Sequence, residues 1–276
     1  MSAESLNKPI KVCIAGATGW TGSVVARHLL GSDEFDLVGA IARRRAGADV
    51  GDVLGLPTTG LTVRTSLDDV LDDGVRVDVL VDYTDPTSVK TRTLEALANG
   101  IRVVIGTSGL SAADFAEIEE AALAKRLGVI AAGNFSITAA LAKHFSLLAA
   151  RYLPSWEIVD YASATKIDSP SGTVQELAET MGEVARSELA VPLDAMHGPR
   201  EVRGASIGGA QVHSVRLPGF VISFETIFGL PDERLTIRHD GGSGAEPYAM
   251  GTLLAVRSVM RTSGLIRGLD QLLFNT

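Results

Sequence analysis

Short apolar runs alternate with helical patterns along the first half of the chain. The runs are rich in Val and Ile and stop at turn residues, which is typical of buried strands. They lie at residues 10–15, 37–41, 77–81, 101–105 and 129–131. Apolar residues at helical spacing after the first run, and over residues 88–98 and 112–125, predict helices between the strands. This alternation predicts a parallel sheet covered by helices on both faces.

The pattern changes after about residue 134. The predicted elements there are helices over residues 137–153, 174–189 and 247–260, a strand over 156–165 and a β-rich stretch over 202–239. The β-rich stretch contains turn residues and no long helical period, which predicts antiparallel hairpins.

The two patterns predict the fold class and the domains. We expect an α/β fold in which residues 1–134 form a Rossmann-type domain with a parallel sheet and residues 247–276 return to it. Residues 135–246 are expected to form a second, α+β domain with a mixed or antiparallel sheet.

Composition and charge exclude several classes of protein. The 276 residues carry 25 Lys and Arg against 33 Asp and Glu, a net charge of −8, which argues against a nucleic-acid partner. A single cysteine, Cys13, excludes a disulfide framework, and no cluster of His or carboxylate residues has the spacing of a metal site. No apolar run approaches a membrane span and no signal-peptide layout is present, so we expect a cytoplasmic protein without a membrane partner.

The first predicted strand ends in a glycine-rich turn, Gly16-Ala17-Thr18-Gly19-Trp20-Thr21-Gly22. Glycines between a strand and a helix allow a tight turn and let the backbone approach a pyrophosphate, which binds the N–H groups at the positive end of the helix. Because the turn lies at the first strand-to-helix junction, it predicts a dinucleotide site. The candidate cofactor-binding residues of this turn are Gly16, Thr18, Gly19, Trp20 and Thr21.

The end of the second strand indicates which dinucleotide is bound. An acidic residue there binds the ribose hydroxyls of NAD, but this strand ends in Ile41-Ala42 and is followed by Arg43-Arg44-Arg45. Arginine forms bidentate, charge-assisted hydrogen bonds to phosphate. We therefore predict NADPH as the cofactor, bound through Arg43 and Arg44, with NADH as the alternative.

Four further motifs carry a resemblance to a known family. They are Asp82-Tyr83-Thr84-Asp85-Pro86, Gly106-Thr107-Ser108-Gly109, Gly133-Asn134-Phe135-Ser136-Ile137 and Lys166-Ile167-Asp168-Ser169-Pro170-Ser171-Gly172-Thr173. In this order and spacing the chain resembles the dihydrodipicolinate reductases, also called 4-hydroxy-tetrahydrodipicolinate reductases, over about residues 10–274. Ser171-Gly172-Thr173 also opens a predicted helix, where N–H groups and hydroxyls form a carboxylate site.

The resemblance implies an activity and a set of functional residues. It implies NAD(P)H-dependent reduction of a cyclic imine or enamine carboxylate in the lysine pathway, by a homotetramer or homodimer whose second domain binds substrate and mediates oligomerisation. The residues it places around the nicotinamide and its ribose are Tyr83, Thr84, Gly106, Thr107, Asn134 and Phe135. The residues it places on a carboxylate-bearing substrate are Ser163, Lys166, Ser171, Gly172 and Thr173.

The chain departs from the family at the expected proton donor. Family members carry a Glu-x-His-His-x-x-Lys pattern, whose first histidine is the proposed donor. Counting back from Lys166, the two histidine positions hold Ala162 and Ser163. Alanine has no titratable group, whereas histidine titrates near neutral pH. The family's later arginine is also absent from residues 241–247, and Trp20 replaces the arginine of the glycine turn.

Three interpretations therefore stay open. The protein catalyses the family reaction with another proton source, for which Lys166, Tyr161 and a bound water are the candidates. Alternatively, it is a divergent imine reductase or amine dehydrogenase that acts on a different substrate. In the third interpretation it is a non-catalytic paralogue that binds the nucleotide.

Overall fold

The computed structural model of the protein describes residues 8–274, and these residues divide into two compact units. The first unit contains the described residues up to Ile137 and those from Ala245 onward, and the second contains Thr138–Gly244. The sequence pattern predicts the same discontinuous organisation with boundaries two or three residues away, at 134/135 and 246/247.

The first unit contains a seven-stranded sheet in which every pair of neighbours is parallel. Its strands are β1 (Ile10–Ala15), β2 (Phe35–Ile41), β3 (Val63–Arg64), β4 (Val79–Asp82), β5 (Arg102–Ile105), β6 (Gly128–Ala131) and β12 (Gly264–Arg267). The strand order is β12-β6-β5-β4-β1-β2-β3, which reverses at β1. In such sheets ligands bind beyond the carboxyl ends of the strands at the reversal.

Helices connect the strands of this sheet. They are α1 (Trp20–Leu30), α2 (Val50–Leu54), α3 (Leu67–Asp72), α4 (Val89–Ala98), α5 (Ala112–Lys125), α8 (Glu246–Val259) and α9 (Leu269–Phe274). The parallel sheet and the helix α5 confirm the predictions, but β3, β12, α2, α3 and α9 were not predicted. These elements are only two to six residues long, too short to show a period in the sequence.

The second unit contains a five-stranded mixed sheet of order β11-β10-β7-β9-β8. Its elements are α6 (Ile137–Ala150, of which Ile137 lies in the first unit), β7 (Ser155–Ala162), α7 (Gly172–Val184), β8 (Ala205–Ile207), β9 (Ala210–Arg216), β10 (Ile222–Leu230) and β11 (Glu233–Gly241). The antiparallel pairs β8–β9 and β10–β11 confirm the hairpins predicted for residues 202–239. Because β7 and β9 are parallel, the sheet as a whole is mixed, which was one of the two expected alternatives.

Strand β7 alternates strictly between a buried and a half-buried face. Trp156, Ile158, Asp160 and Ala162 are buried, whereas the residues between them are half-buried. Trp156 and Ile158 of the buried face pack with residues of α6 and α7, so this is the helix-covered face of the sheet. Since strand side chains point alternately to opposite faces, each side chain near the end of β7 can be assigned to one of them.

Candidate functional site

The glycine turn after β1 is packed so closely that side chains are excluded at two of its positions. Gly16 has φ +86°, and a Cβ there would lie 2.2 Å from the carbonyl oxygen of Tyr83. A Cβ on Gly22 would lie 2.1 Å from the carbonyl oxygen of Gly16. Glycine therefore permits the turn at Gly16 and close packing of the helix start at Gly22, as a dinucleotide site requires.

The start of α1 has no cap of its own. Gly19 provides no side-chain hydrogen bond to the helix, and the first turn contains no acidic residue. The first N–H groups of a helix lack partners within the helix, and its positive end favours an anion. Trp20, 57% exposed, contacts the ring of Tyr248 edge-on at 5.7 Å, while Thr18 and Thr21 are half-buried. These features fit the pyrophosphate of a dinucleotide.

A buried carboxylate organises the ends of β4 and β5. Asp82 is fully buried and accepts hydrogen bonds from the hydroxyls of Thr84 (2.6 Å) and Thr107 (2.9 Å). Its second oxygen lies 2.5 Å from the Arg92 guanidinium, which also donates to the Thr84 hydroxyl at 2.9 Å. Thr84 and Thr107, both predicted as cofactor-binding, are thus brought together and held in place at the sheet edge.

The Tyr83 ring packs directly against the backbone of Gly106. The Tyr83 hydroxyl lies 2.6 Å from that of Thr252 on α8, and burial raises the pKa of the phenol. A Cβ on Gly106 would lie 2.1 Å from the Tyr83 ring, so glycine is needed for the ring to lie there. The Phe135 ring, also buried, contacts Tyr83 edge-on at 6.1 Å. Since the Phe135 side chain lies in the core, its backbone is the part left for the predicted cofactor contact.

The remaining cofactor candidates lie in the loops after β6 and β2. The Asn134 side-chain oxygen accepts a hydrogen bond from the Ser136 N–H at 2.8 Å, which fixes the chain leaving β6. Arg43, Arg44 and Arg45 are exposed, and the Arg43 side chain is 88% exposed with its guanidinium 3.5 Å from Asp85. The basic loop is therefore open to an anionic ligand.

In the second unit, the start of α7 is fixed to β7 by a buried ionic network. Asp160 is fully buried, and its carboxylate accepts hydrogen bonds from the N–H and the hydroxyl of Ser171, each at 2.8 Å. The Arg216 guanidinium lies 2.6 Å from the same carboxylate and also donates to the Asp168 carbonyl at 2.8 Å. The buried Ser171 hydroxyl thus donates to Asp160 and holds the helix start in place, and its predicted contact with a substrate stays a prediction.

The other substrate candidates surround this helix start. Lys166 Nζ lies 2.8 Å from the Asp168 carboxylate, and the lysine, chiefly through this hydrogen bond, lowers the pKa of Asp168. Gly172 is exposed, and a Cβ there would contact nothing within 4 Å. Ser163, half-buried, lies with its hydroxyl 3.1 Å from that of Thr165. A lysine ammonium and an exposed backbone at a helix start provide the groups for binding a carboxylate.

Tyr161 lies on the wrong face of β7 to replace the missing histidine. Ala162 is on the buried face with Asp160, whereas Tyr161 points to the opposite face. There its hydroxyl donates to Glu225 at 2.6 Å, and the Arg238 guanidinium lies 5.0 Å from its ring centre. Burial, and then Glu225, raise the pKa of Tyr161. Tyr161 and residue 162 therefore lie on opposite faces of β7, which disfavours Tyr161 among the proton sources predicted from the sequence.

Two features of the second unit could not be read from the sequence. The first is the orientation of two histidine rings on strands: His213 pairs with Glu157 at 2.7 Å, and His239 is buried with its ring 5.5 Å from that of Phe224. Arg216 was missed as well, because only the β7–β9 register shows that it lies beside Ala162.

Within residues 8–274, no helix is both long and apolar enough to cross a bilayer. In the same part of the chain, no group of three or more His, Cys, Asp or Glu side chains could hold a metal ion.

A parallel sheet that reverses at a glycine turn, joined to a mixed-sheet unit, defines a Rossmann-type nucleotide-binding protein with a second domain. Two family models match the chain: the N-terminus of dihydrodipicolinate reductase at residues 10–135 and its C-terminus at residues 135–273. The chain belongs to the dihydrodipicolinate reductase family, as the sequence motifs indicate.

Individual relatives agree with this assignment. The 4-hydroxy-tetrahydrodipicolinate reductase of Moorella thermoacetica is 39% identical over 264 residues, 96% of this chain and 98% of the relative. The reductase of the same name from Desulfitobacterium hafniense is 37% identical over 96% of this chain and 99% of the relative.

Solved structures show the same fold. Dipicolinate-bound dihydrodipicolinate reductase from Paenisporosarcina sp. TG-14 is similar with a TM-score of 0.84 and 30% identity, covering 95% of this chain and 99% of that one. An amine dehydrogenase from Mycobacterium smegmatis has a TM-score of 0.67 at 15% identity, with 95% of each chain covered, which shows a shared fold alone.

Proposed function

We propose that the protein is an NAD(P)H-dependent reductase that acts on the cyclic substrate of the 4-hydroxy-tetrahydrodipicolinate reductases. The observation that carries the proposal is the intact segment from Lys166 to Thr173, with its exposed helix start, in a chain that matches the family over its length. This segment supplies the groups that bind a carboxylate even though both histidines are absent.

The first unit would hold the cofactor. The N–H groups at the start of α1 bind the pyrophosphate, and Thr84 and Thr107, fixed by Asp82, line the edge of the sheet beside it. Arg43 and Arg44 favour NADPH because their guanidinium groups can bind a 2′-phosphate. When bound, the cofactor supplies the hydride, and the protein contributes position and electrostatics.

The second unit would hold the substrate. A substrate carboxylate binds the ammonium of Lys166 and the backbone N–H groups at Gly172 and Thr173. The Lys166 ammonium then contacts both this carboxylate and that of Asp168. The buried Asp160 carboxylate keeps this helix start in place through Ser171. Dipicolinate, the ligand in the Paenisporosarcina structure, is a dicarboxylate and is the ligand class that we assign to this chain.

The hydride adds to one carbon of the double bond, and the proton that the neighbouring atom takes up must come from a group other than residue 162. Ala162 is fully buried and not titratable, and Tyr161 lies on the opposite face of β7. We therefore assign the proton to Lys166 or to a bound water. A general acid contributes about 10²–10⁴-fold to the rate, so we expect a slower reductase rather than an inactive one.

The test is a direct assay. The pure protein is incubated with NADPH and enzymatically prepared hydroxytetrahydrodipicolinate, and the absorbance of the reduced cofactor is followed. We expect turnover that is lost in Lys166→Met and kept in Lys143→Met, which removes an ion-paired lysine of the same unit. Absence of turnover above background in the unmodified protein would contradict the proposed substrate.

A second candidate function is reduction of a different imine, or oxidation of a related amine. It is favoured by the loss of both histidines in a chain that keeps the lysine. A panel of cyclic imino acids in the same assay separates this activity from a non-catalytic protein, which would bind NADPH without consuming it.

Self-association forms part of the proposal. The exposed leucines of the second unit's strands and turns, Leu217, Leu230 and Leu235, offer apolar surface for a homotetramer or homodimer. Light scattering coupled to size-exclusion chromatography measures the mass directly, and a monomer at micromolar concentration would contradict it.

A further inference from the structure

The end of β2 lacks a carboxylate of its own, but one lies beside it. The strand ends at Ile41 and is followed by Ala42 and Arg43, where Rossmann domains that bind NAD place an acidic residue. The Arg43 guanidinium lies 3.5 Å from Oδ2 of Asp85, a residue of the loop between β4 and α4. An aspartate from the loop after β4 therefore reaches the region where a carboxylate that binds the ribose is expected.

The sheet order explains how this contact arises. In the order β4-β1-β2, the loops after β4 and β2 lie on either side of the glycine turn that follows β1. Neighbouring strands are about 4.8 Å apart, so the Arg43–Asp85 contact bridges roughly 10 Å across the turn. Both side chains thus lie beside the turn that we assign to the pyrophosphate.

Asp85 is held in a fixed orientation by its own loop. Its Oδ1 accepts hydrogen bonds from the Thr87 N–H at 3.2 Å and the Thr87 hydroxyl at 2.5 Å. Its carbonyl accepts from the Val89 N–H at the start of α4. The hydrogen bonds from Thr87, that of its hydroxyl first, lower the pKa of Asp85, so the group is a carboxylate at neutral pH. Its side chain is 28% exposed, and Oδ2 contacts the exposed guanidinium of Arg43.

We infer that Asp85 is the residue that recognises the ribose of the adenosine half, and that Asp85 and Arg43 together set the choice between NADH and NADPH. The inference rests on the proposed function, since it assigns the cofactor to the glycine turn. With NADH, the ribose hydroxyls donate to Asp85. With NADPH, the 2′-phosphate binds Arg43 and is repelled by the Asp85 carboxylate.

The experiment measures binding rather than activity. Dissociation constants of NAD⁺ and NADP⁺ are determined by calorimetry for the unmodified protein and for Asp85→Asn, together with those of the fragments 5′-AMP and 2′,5′-ADP. A hydrogen bond to a charged group is worth about tenfold or more in affinity, so Asp85→Asn should weaken NAD⁺ by about tenfold. NADP⁺ should bind as tightly as before or more tightly. Of the fragments, 5′-AMP should bind more weakly to Asp85→Asn, as NAD⁺ does, and 2′,5′-ADP should bind as tightly as before or more tightly, as NADP⁺ does.

Two outcomes overturn the inference and one overturns the proposed function instead. An unchanged ratio of NAD⁺ to NADP⁺ affinity in Asp85→Asn, with both nucleotides still binding the unmodified protein, contradicts the role of Asp85. Thr87→Ala removes a bond of the same loop without removing the carboxylate, and an equal shift in this control would assign the effect to the loop. If the unmodified protein binds neither nucleotide, the cofactor assignment itself fails.

Discussion

Replacement of Arg216 by methionine is expected to destabilise the second unit by about 3–5 kcal/mol, because it leaves a buried carboxylate without its cation. The Asp160 carboxylate is fully buried and lies 2.6 Å from the Arg216 guanidinium. Methionine fills much of the volume of the arginine stem, so the loss is chiefly electrostatic. The two Ser171 hydrogen bonds remain, and they offset only part of the desolvation of the charge.

The same reasoning ranks two further variants. Asp160→Asn removes the charge but turns an amide N–H₂ toward groups that are all donors, so one hydrogen bond is lost and the half-buried Arg216 guanidinium loses its counter-charge. Ser171→Ala keeps the ion pair but removes the cap of α7, at about 0.5–2 kcal/mol, together with the hydroxyl's hydrogen bond to the Asp160 carboxylate, at about 1.5–3 kcal/mol. We expect Arg216→Met to destabilise the unit most, because it alone leaves the buried carboxylate without its cation.

Tryptophan fluorescence can measure these effects in the second unit alone. Trp156 lies in its core, whereas Trp20 belongs to the first unit, so a Trp20→Phe background leaves Trp156 as the reporter. Urea unfolding curves then give the free energy of unfolding for each variant. The control is Glu176→Gln, which breaks the ion pair of Glu176 with Lys143. Because the Glu176 side chain is 49% exposed, this substitution should change the free energy of unfolding by less than about 1 kcal/mol. A loss in Arg216→Met no larger than in this control would refute the argument.

Three other predictions concern the first unit. The Cys13 thiol is fully buried, which raises its pKa to about 12, so Ellman's reagent should modify it only after unfolding; rapid modification of the folded protein would contradict this. Gly106→Ala should cost about 1–3 kcal/mol or more in thermal or urea unfolding, because the new Cβ meets the Tyr83 ring at 2.1 Å, and an unchanged stability would show that the ring can move. The Ser111 hydroxyl is the first cause that lowers the pKa of Asp114 from 3.8 to about 2, so Asp114 stabilises the fold above pH 3.8 and this contribution is lost as the pH falls toward 2. Asp114→Asn should therefore lower stability at pH 7, and a difference from the unmodified protein that persists undiminished at pH 2–3 would contradict the assignment.

The parallel sheet could be predicted because its strands are short, apolar and buried on both faces. β1 was predicted with the bounds that the structure shows, since Ile10–Ala15 is one apolar run ended by glycine. β12 was missed because Gly264–Arg267 shows no strand signal of its own; it forms by pairing with β6. Register and pairing of this kind depend on distant segments, which a local pattern does not contain.

The hydrogen bonds of the substrate side depend on distant segments in the same way. Ser171 matches a family motif, but the sequence does not show which group its hydroxyl contacts. In the structure the hydroxyl donates to Asp160, a residue eleven positions earlier on another element. Strand alternation alone separates Tyr161 from Ala162, so this difference in face can be predicted once the strand is accepted.

The register of β7 and β9 predicts that a histidine at residue 162 is accommodated poorly. Arg216 lies opposite Ala162 on the parallel neighbour, and from there its guanidinium reaches Asp160. Ala162 is fully buried, so an imidazole at this position would need space that the packing does not leave, at a cost of about 1–3 kcal/mol. Any imidazole that did fit would lie near a guanidinium, which disfavours the protonated ring and lowers its pKa.

Ala162→His is therefore expected to lower the unfolding midpoint and to give no increase in turnover of hydroxytetrahydrodipicolinate. Ser163→His, at a half-buried position, should be tolerated in the same unfolding measurement. If Ala162→His instead folds with unchanged stability and raises turnover by the 10²-fold or more that a general acid typically contributes, then the pocket has lost only its acid. The expected result would mean that Arg216 requires a small, uncharged side chain at residue 162. The proton for the reaction must then come from a group other than residue 162.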